Sequence, residues 1–174
     1  MKWCLPFKLD NNTLHELKEI CDNIKVERSP EVLEEQEDCT DNIVVDSKIW
    51  IIRNHDEDYD LSKIRKKLHE VTGMNLDYNQ GFFCVWQYDE TFKSCPIHID
   101  SGGKHTGSLC VATTGSFQII LNDKETHEEL DRITVEANDI ITLNNTKYWH
   151  YVEGQGDLIV FGGDIDLDVN TYFK

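Results

Sequence analysis

Apolar positions along the chain recur with two different periods, and the change from one to the other falls near Gly81. Leu14, Leu17, Cys21 and Ile24 stand at helical spacing, and Thr13 with Glu16 reads as a T-x-x-E capping box, so a helix is expected over residues ~12–25. A second amphipathic helix is expected to start at an Asp60 N-cap, place Leu61, Ile64, Leu68 and Val71 on one face, and stop at Gly73. Both predict supports packed against a sheet. Between them, Glu27-Arg28-Ser29-Pro30-Glu31 and Glu34-Glu35-Gln36-Glu37-Asp38 read as a solvated acidic loop, or alternatively as a docking surface for a basic partner. Ile43-Val44-Val45 and Lys48-Ile49-Trp50-Ile51-Ile52 are short β-rich runs that could extend a sheet as edge strands.

From Gly81 onward the pattern is short strands separated by turn residues, the mark of a sandwich or barrel. Eight are expected: Phe82–Tyr88, Ile97–Asp100, Ser108–Thr113, Phe117–Leu121, Arg132–Val135, Ile140–Leu143, Tyr148–Val152 and Leu158–Phe161. Eight short strands after two helices predict a mainly β (α+β) chain, a double-stranded β-helix or jelly roll with N-terminal supporting helices. One domain is expected over residues 1–174, since a chain of 174 residues is long enough for one substantial core. Within it, residues 1–80 form a helical buttress with the acidic loop and edge strands, and residues 81–164 form the β-helix core.

Charge narrows the partners. With 17 Lys and Arg against 33 Asp and Glu, the net charge of −16 sets up a field that repels phosphate backbones and anionic lipid surfaces. A nucleic-acid polymer is thereby disfavoured, and a small-molecule or peptide substrate, including a cationic one, is left open. The apolar run Trp3–Phe7 is too short for a signal-peptide core, and no run approaches the ~20 apolar residues of a membrane span, so a cytosolic (cytoplasmic) protein is expected. The six cysteines form no C-x-x-C pair and indicate neither a zinc knuckle nor a disulfide framework.

The chemistry centres on Pro96-Ile97-His98-Ile99-Asp100, an H-x-D motif in a predicted strand. The two-residue period points His98 and Asp100 to one face and Ile97 and Ile99 to the other. Tyr148-Trp149-His150-Tyr151-Val152 supplies a second histidine, and closure of the strands as a β-helix would let the three groups meet. Two histidines and a carboxylate leave open positions on a metal, the pattern of non-haem Fe(II) oxygen-activating sites. Zinc accepts the same ligands, so ligand type alone does not choose. Trp149 and Tyr151 should face away from His150 and pack, as should Phe82, Phe83 and Phe117.

With Trp86-Gln87-Tyr88 before the motif and Ala137–Leu143 and His150-Tyr151-Val152-Glu153-Gly154 after it, residues 82–164 resemble the 2-oxoglutarate/Fe(II) oxygenases, in particular the prolyl-hydroxylase-like members. The resemblance implies Fe(II) held by His98, Asp100 and His150, with 2-oxoglutarate and O₂ as co-substrates in the oxidation of a substrate C–H bond. The Asp100 carboxylate favours hydroxylation over halogenation. Tyr88 is then the candidate hydrogen-bond donor to the co-substrate, and Trp86, Gln87 and His105 are candidate substrate contacts, although Trp86 and Gln87 have opposite facings. One feature departs from the family. An arginine in the last core strand usually binds the distal carboxylate, yet residues 153–164 contain no cation and include Asp157. A base from elsewhere, with Lys104, Lys147 and Arg53 as candidates, could take that role. Alternatively the chain uses Fe(II) and O₂ without 2-oxoglutarate, or is a non-catalytic β-helix module that binds metal or ligand. A cupin-type metalloenzyme ranks third, because an H-x-H with a following glutamate is lacking.

Overall fold

The computed structural model describes residues 2–31, 48–53, 58–76, 82–99, 108–145, 147–162 and 168–174, the side chains of Arg53, Phe82 and Val169 excepted. Among these residues the chain forms β1 (Cys4–Lys8), α1 (Asn11–Glu27), β2 (Lys48–Arg53), α2 (Ser62–Thr72), β3 (Phe82–Tyr88), β4 (Ser108–Ala112), β5 (Ser116–Asn122), β6 (Glu129–Glu136), β7 (Asp139–Leu143), β8 (Trp149–Gly162) and the one-turn α3 (Val169–Tyr172). The protein is mainly β, a jelly roll buttressed by helices.

A larger antiparallel sheet runs β1-β7-β4-β8-β3-β2, and a smaller one is built from β6, β5 and the first half of β8. Strand β8 serves both. Residues 149–155 pair with β5, and residues 156–162 pair with β3 and β4. The bend sits at Gly154 (φ 154°) and Gly156 (φ 124°), backbone angles that L side chains rarely adopt. A Cβ at Gly154 would lie 2.4 Å from the Ser116 carbonyl oxygen, and one at Gly156 would lie 2.2 Å from that of Thr114. Glycine is therefore required at both. The expected strands 148–152 and 158–161 are thus one strand that changes sheets, because the glycines bend the ladder without ending it.

Two apolar layers result. The outer layer lies between the large sheet and the helices, and joins Leu17, Cys21 and Ile24 of α1 and Leu61, Ile64 and Leu68 to Trp50, Phe83, Val85, Ile159 and Phe161. The inner layer lies between the two sheets and contains Tyr88, Phe92, Cys95, Cys110, Ala112, Phe117, Ile119, Ile141, Val152 and Leu158. Alternation along each strand divides side chains between the layers.

Several expectations change in detail. The α1 cap is Asp10, whose carboxylate accepts from the Thr13 backbone N–H at 2.8 Å and from its hydroxyl at 2.7 Å. Thr13 and Glu16 are inside the helix and form no capping box; Glu16 instead takes Lys63 at 3.1 Å. Asp60 bonds the Ser62 N–H at 3.0 Å, so α2 opens one residue later than read, and Gly73 ends it at φ 75°. Strand β1 is new. Pro6 argues against a strand interior, but β1 is an edge strand, where a missing N–H costs the ladder nothing on the solvent side. Edge strand β2 is as expected, whereas Ile43–Val45 and the acidic run 34–38 lie outside the described residues. Glu31 bridges Ile49 through its backbone N–H at 2.6 Å.

Candidate metal centre

The segment carrying His98 runs antiparallel beside the first half of β8, but not as the regular strand expected for residues 97–100. Bridges join Ser94 to Glu153 and His98 to His150, and between them the Cys95 N–H donates to the Val152 carbonyl at 3.0 Å. Three steps of chain from residue 95 to residue 98 therefore oppose two steps from residue 150 to residue 152. The extra residue makes a bulge at Pro96-Ile97. Proline has no N–H to give the ladder, so the irregularity falls where the sequence can bear it. The Val152 N–H turns to the Cys95 sulfur at 3.1 Å.

The bulge closes on a reciprocal pair. The His98 N–H donates to the His150 carbonyl and the His150 N–H to the His98 carbonyl, each at 2.9 Å. This sets the two side chains side by side, with ring centroids 4.4 Å apart and ring planes at 56°. His150 is 4% exposed and points between the sheets, with the same facing as Val152 of the inner layer. Each ring is oriented in the same manner. His98 Nδ1 meets the Pro96 carbonyl at 2.8 Å, and His150 Nδ1 meets the Tyr148 carbonyl at 3.0 Å. A carbonyl can only accept, so each Nδ1 carries its proton, and in a neutral imidazole that leaves the lone pair on Nε2. That is the tautomer of a metal-ligating histidine held by a backbone carbonyl. Two imidazole nitrogens on one ion, each ~2.1 Å from it, lie only about 3 Å apart. Ring centroids 4.4 Å apart put the two imidazoles in the neighbourhood that such a pair needs. Among the described residues these two are the candidate ligands brought together; Asp100, Lys104 and His105 lie outside the described residues.

Of the other residues singled out in the sequence, Tyr88 and Trp86 point between the sheets and Gln87 points away, as strand parity requires. Trp86 stacks on Phe92 with ring centroids 6.1 Å apart, and Tyr88 packs edge-on against Phe117 at 5.3 Å. Tyr88 is buried and hydrogen-bonded with Cys95, and burial holds its hydroxyl protonated well above the ordinary tyrosine range. Lys147 is exposed in the turn before β8, and its ammonium donates to Asn170 at 3.4 Å, toward the C-terminal helix.

Asp157 proves to face the helices. It pairs with Lys25 of α1 at 2.5 Å, on the side of β8 that also carries Ile159 and Phe161. The inward positions of that half-strand are Leu158 and Val160. No repulsive carboxylate enters the sandwich from this strand, and no cation does so either. Lys8 pairs with Asp139, Lys48 with Asp89 and Arg132 with Glu129, so each described Lys or Arg side chain on a strand is engaged elsewhere. Where the resemblance led one to look for an arginine, the described inner face offers Cys84, Cys110, Leu158 and Val160 along neighbouring strands. It does not fit a free dicarboxylate.

Trp149, expected to pack between sheets or on a helix, instead packs against His127 of the β5–β6 turn, with ring centroids 5.6 Å apart and planes tilted by 39°. His127 has φ 59°, an uncommon angle for a non-glycine residue. No local sequence signal marks it.

No family model matches the chain, and no curated protein matches its sequence. Among solved structures, a prolyl hydroxylase from Trichoplax adhaerens, in complex with a hypoxia inducible factor oxygen degradation domain peptide fragment, aligns over 92% of this chain and 82% of its own at TM-score 0.59 and 10% identity. A Pseudomonas putida prolyl-4-hydroxylase aligns over 95% and 93% at TM-score 0.56 and 12% identity. A hydroquinone 1,2-dioxygenase with bound Fe3+ matches over 51% of this chain and 26% of that one at TM-score 0.41, a partial likeness. The fold is therefore the jelly roll of these prolyl hydroxylases.

Proposed function

We propose that the chain is an Fe(II)-dependent oxygenase whose iron is held by His98, His150 and Asp100, the last two residues beyond His98 in sequence. The observation that carries this reading is the pair of histidines side by side, each with Nδ1 bonded to a backbone carbonyl, in the fold of the prolyl-hydroxylase-like oxygenases. The donor set of two imidazoles and one carboxylate suits non-haem Fe(II). Iron bound there supplies the activation of O₂ and the oxidation of a substrate C–H bond. The chain's part is to fix the two imidazoles by the reciprocal 98/150 backbone bonds and to exclude water with the inner layer.

With 2-oxoglutarate as co-substrate, the reaction balances as substrate C–H, O₂ and 2-oxoglutarate going to substrate C–OH, succinate and CO₂, on a small molecule or a peptide side chain. The distal carboxylate then needs a cation from beyond the described side chains, with Lys104 and Arg53 as candidates. A specific observation favours a second reading. The thiol and aliphatic lining at Cys84, Cys110, Leu158 and Val160 suits an enzyme that uses Fe(II) and O₂ alone, with both oxygen atoms passing to the substrate.

Anaerobic addition of 2-oxoglutarate to the Fe(II)-loaded chain separates them. A weak visible charge-transfer band, with succinate formed on admitting air, establishes the first. Tight Fe(II) binding with no band and no succinate favours the second, and O₂ consumption by the Fe(II)-loaded chain separates it from a module that binds metal without turnover.

A further inference from the structure

We propose that Cys95 is a positioning residue for His98: its thiol takes a ladder bond that would otherwise go to the Pro96 carbonyl, and so leaves that carbonyl to aim the imidazole. The proposal rests on the iron-centre reading above and adds to it a residue outside the ligand set.

In an antiparallel ladder, the pairs that exchange both N–H···O bonds recur at every second residue on each strand. His98 and His150 are such a pair, with both bonds at 2.9 Å. A regular continuation would make Pro96 and Val152 the next one, each N–H donating to the other's carbonyl. Proline has no N–H, so half of that exchange is ruled out covalently. The Cys95 N–H supplies it instead, 3.0 Å from the Val152 carbonyl.

The other half is not ruled out, since Pro96 keeps its carbonyl. Nevertheless the Val152 N–H donates to Cys95 Sγ at 3.1 Å, while the Pro96 carbonyl accepts from His98 Nδ1 at 2.8 Å. Backbone and side chain of one residue thus replace both ladder bonds of its neighbour. Cys95 is only 7% exposed and Val152 is buried beside it in the inner layer, so a Val152 N–H without an acceptor would be costly there. With the thiol removed, the nearest remedy is the Pro96 carbonyl, and the Val152 N–H then competes with His98 Nδ1–H for it.

The thiol is itself held from the facing strand. Tyr88 of β3, buried in the same layer, hydrogen-bonds with Cys95. A side chain read in sequence as a donor to the co-substrate thereby serves the segment that carries His98. The chain of contacts runs from Tyr88 to the Cys95 thiol, to the Val152 N–H, and through the released Pro96 carbonyl to the His98 ring.

Three variants of the full chain test this. Cys95→Ala removes the acceptor, Cys95→Ser restores a smaller one, and Tyr88→Phe keeps the ring without the hydroxyl. The first readout needs no metal: imidazole ¹⁵N shifts of the metal-free chain at a pH where the ring is neutral. They should show His98 protonated at Nδ1 in the parent and in Cys95→Ser, and moved toward the Nε2–H tautomer in Cys95→Ala. The second is Fe(II) affinity, expected to fall about tenfold or more in Cys95→Ala, as for other groups that orient a metal-bound histidine, and to stay within about threefold of the parent in Cys95→Ser. Tyr88→Phe should fall between the two. A folded Cys95→Ala with the parent's His98 shifts and Fe(II) affinity overturns the proposal. So does a folded Cys95→Ser as impaired as Cys95→Ala, because lost packing would then account for both. Should Cys95→Ala not fold, Tyr88→Phe decides, and unchanged shifts and affinity in that variant overturn the proposal. A parent that binds no Fe(II) but shows the expected change of tautomer contradicts the oxygenase reading and supports the role of Cys95 in aiming His98.

Discussion

A histidine ligates a metal through one ring nitrogen, and what the other nitrogen does decides how well the first is aimed. His98 and His150 solve this identically, each giving Nδ1–H to the carbonyl two residues earlier in its own chain. The printed bonds of both Nδ1 atoms go to backbone carbonyls, which is why the sequence points to His98 and His150 as candidate ligands while nothing in it points to their orientation. Asp157 shows the opposite limit. It stands between apolar neighbours on a strand buried on both faces, where alternation carries no sign of direction, and only the structure shows that it meets Lys25. Asp157→Asn should therefore cost about 1–3 kcal/mol of stability by leaving the largely buried Lys25 without its counter-ion, measured by denaturant unfolding. It should leave Fe(II) affinity unaltered; a change in that affinity would put Asp157 back at the site. Asp89 gives a pH signature. Its carboxylate accepts from Thr91 and Phe92 and pairs with Lys48, bonds that hold its pKa well below the ordinary aspartate value. A depressed folded-state pKa gives stability that is fully present above the unfolded value of about 3.9 and is lost as pH falls through the folded one. Asp89→Asn should flatten that acid limb of the unfolding profile and leave the slope above pH 5 unchanged.

At the scale of elements, the helices were legible because their apolar spacing and their caps agree, although the cap of α1 is Asp10 and not the Thr13 box. Strands were legible as apolar runs but not as units. Gly154 and Gly156 look like the end of one strand and the start of another, whereas in the molecule they are the bend that lets β8 close the sandwich. Likewise Pro96 hides the pairing of the His98 segment, because a bulge breaks the alternation on which strand reading depends. Gly154→Ala puts a methyl group 2.4 Å from the Ser116 carbonyl oxygen and on a φ that alanine avoids. A loss of more than ~3 kcal/mol is expected, or a fall in Tm of roughly 6–12 °C for a domain of this size. The same change at Gly73, where the nearest neighbour of a Cβ is the Tyr172 ring at 3.8 Å, meets only the strain of the helix cap and should cost about 1 kcal/mol.

Over the whole molecule, the two-layer design places the helical buttress on one face of the large sheet and the histidine pair behind the other. No helix among the described residues is long and apolar enough to cross a membrane. The strand count expected from the sequence agrees with the structure for partly different reasons. One expected strand is a single bridge and two others are halves of β8, while β1 and β2 come from before Gly81 and flank the large sheet. The fold class was legible because short apolar runs separated by turn residues recur from residue 82 to residue 161. The co-substrate was not, since the missing arginine is an absence that only the inward lining of Cys84, Cys110, Leu158 and Val160 turns into a positive description. The central claim is that His98 and His150 hold iron, and equilibrium Fe(II) titration of the anaerobic chain tests it most directly. One Fe(II) per chain is expected, with affinity at least 100-fold lower in His98→Ala and in His150→Ala, both retaining the far-UV circular dichroism of the parent. Folded parent protein that takes up no Fe(II), or folded variants that bind it as tightly as the parent, would contradict the claim.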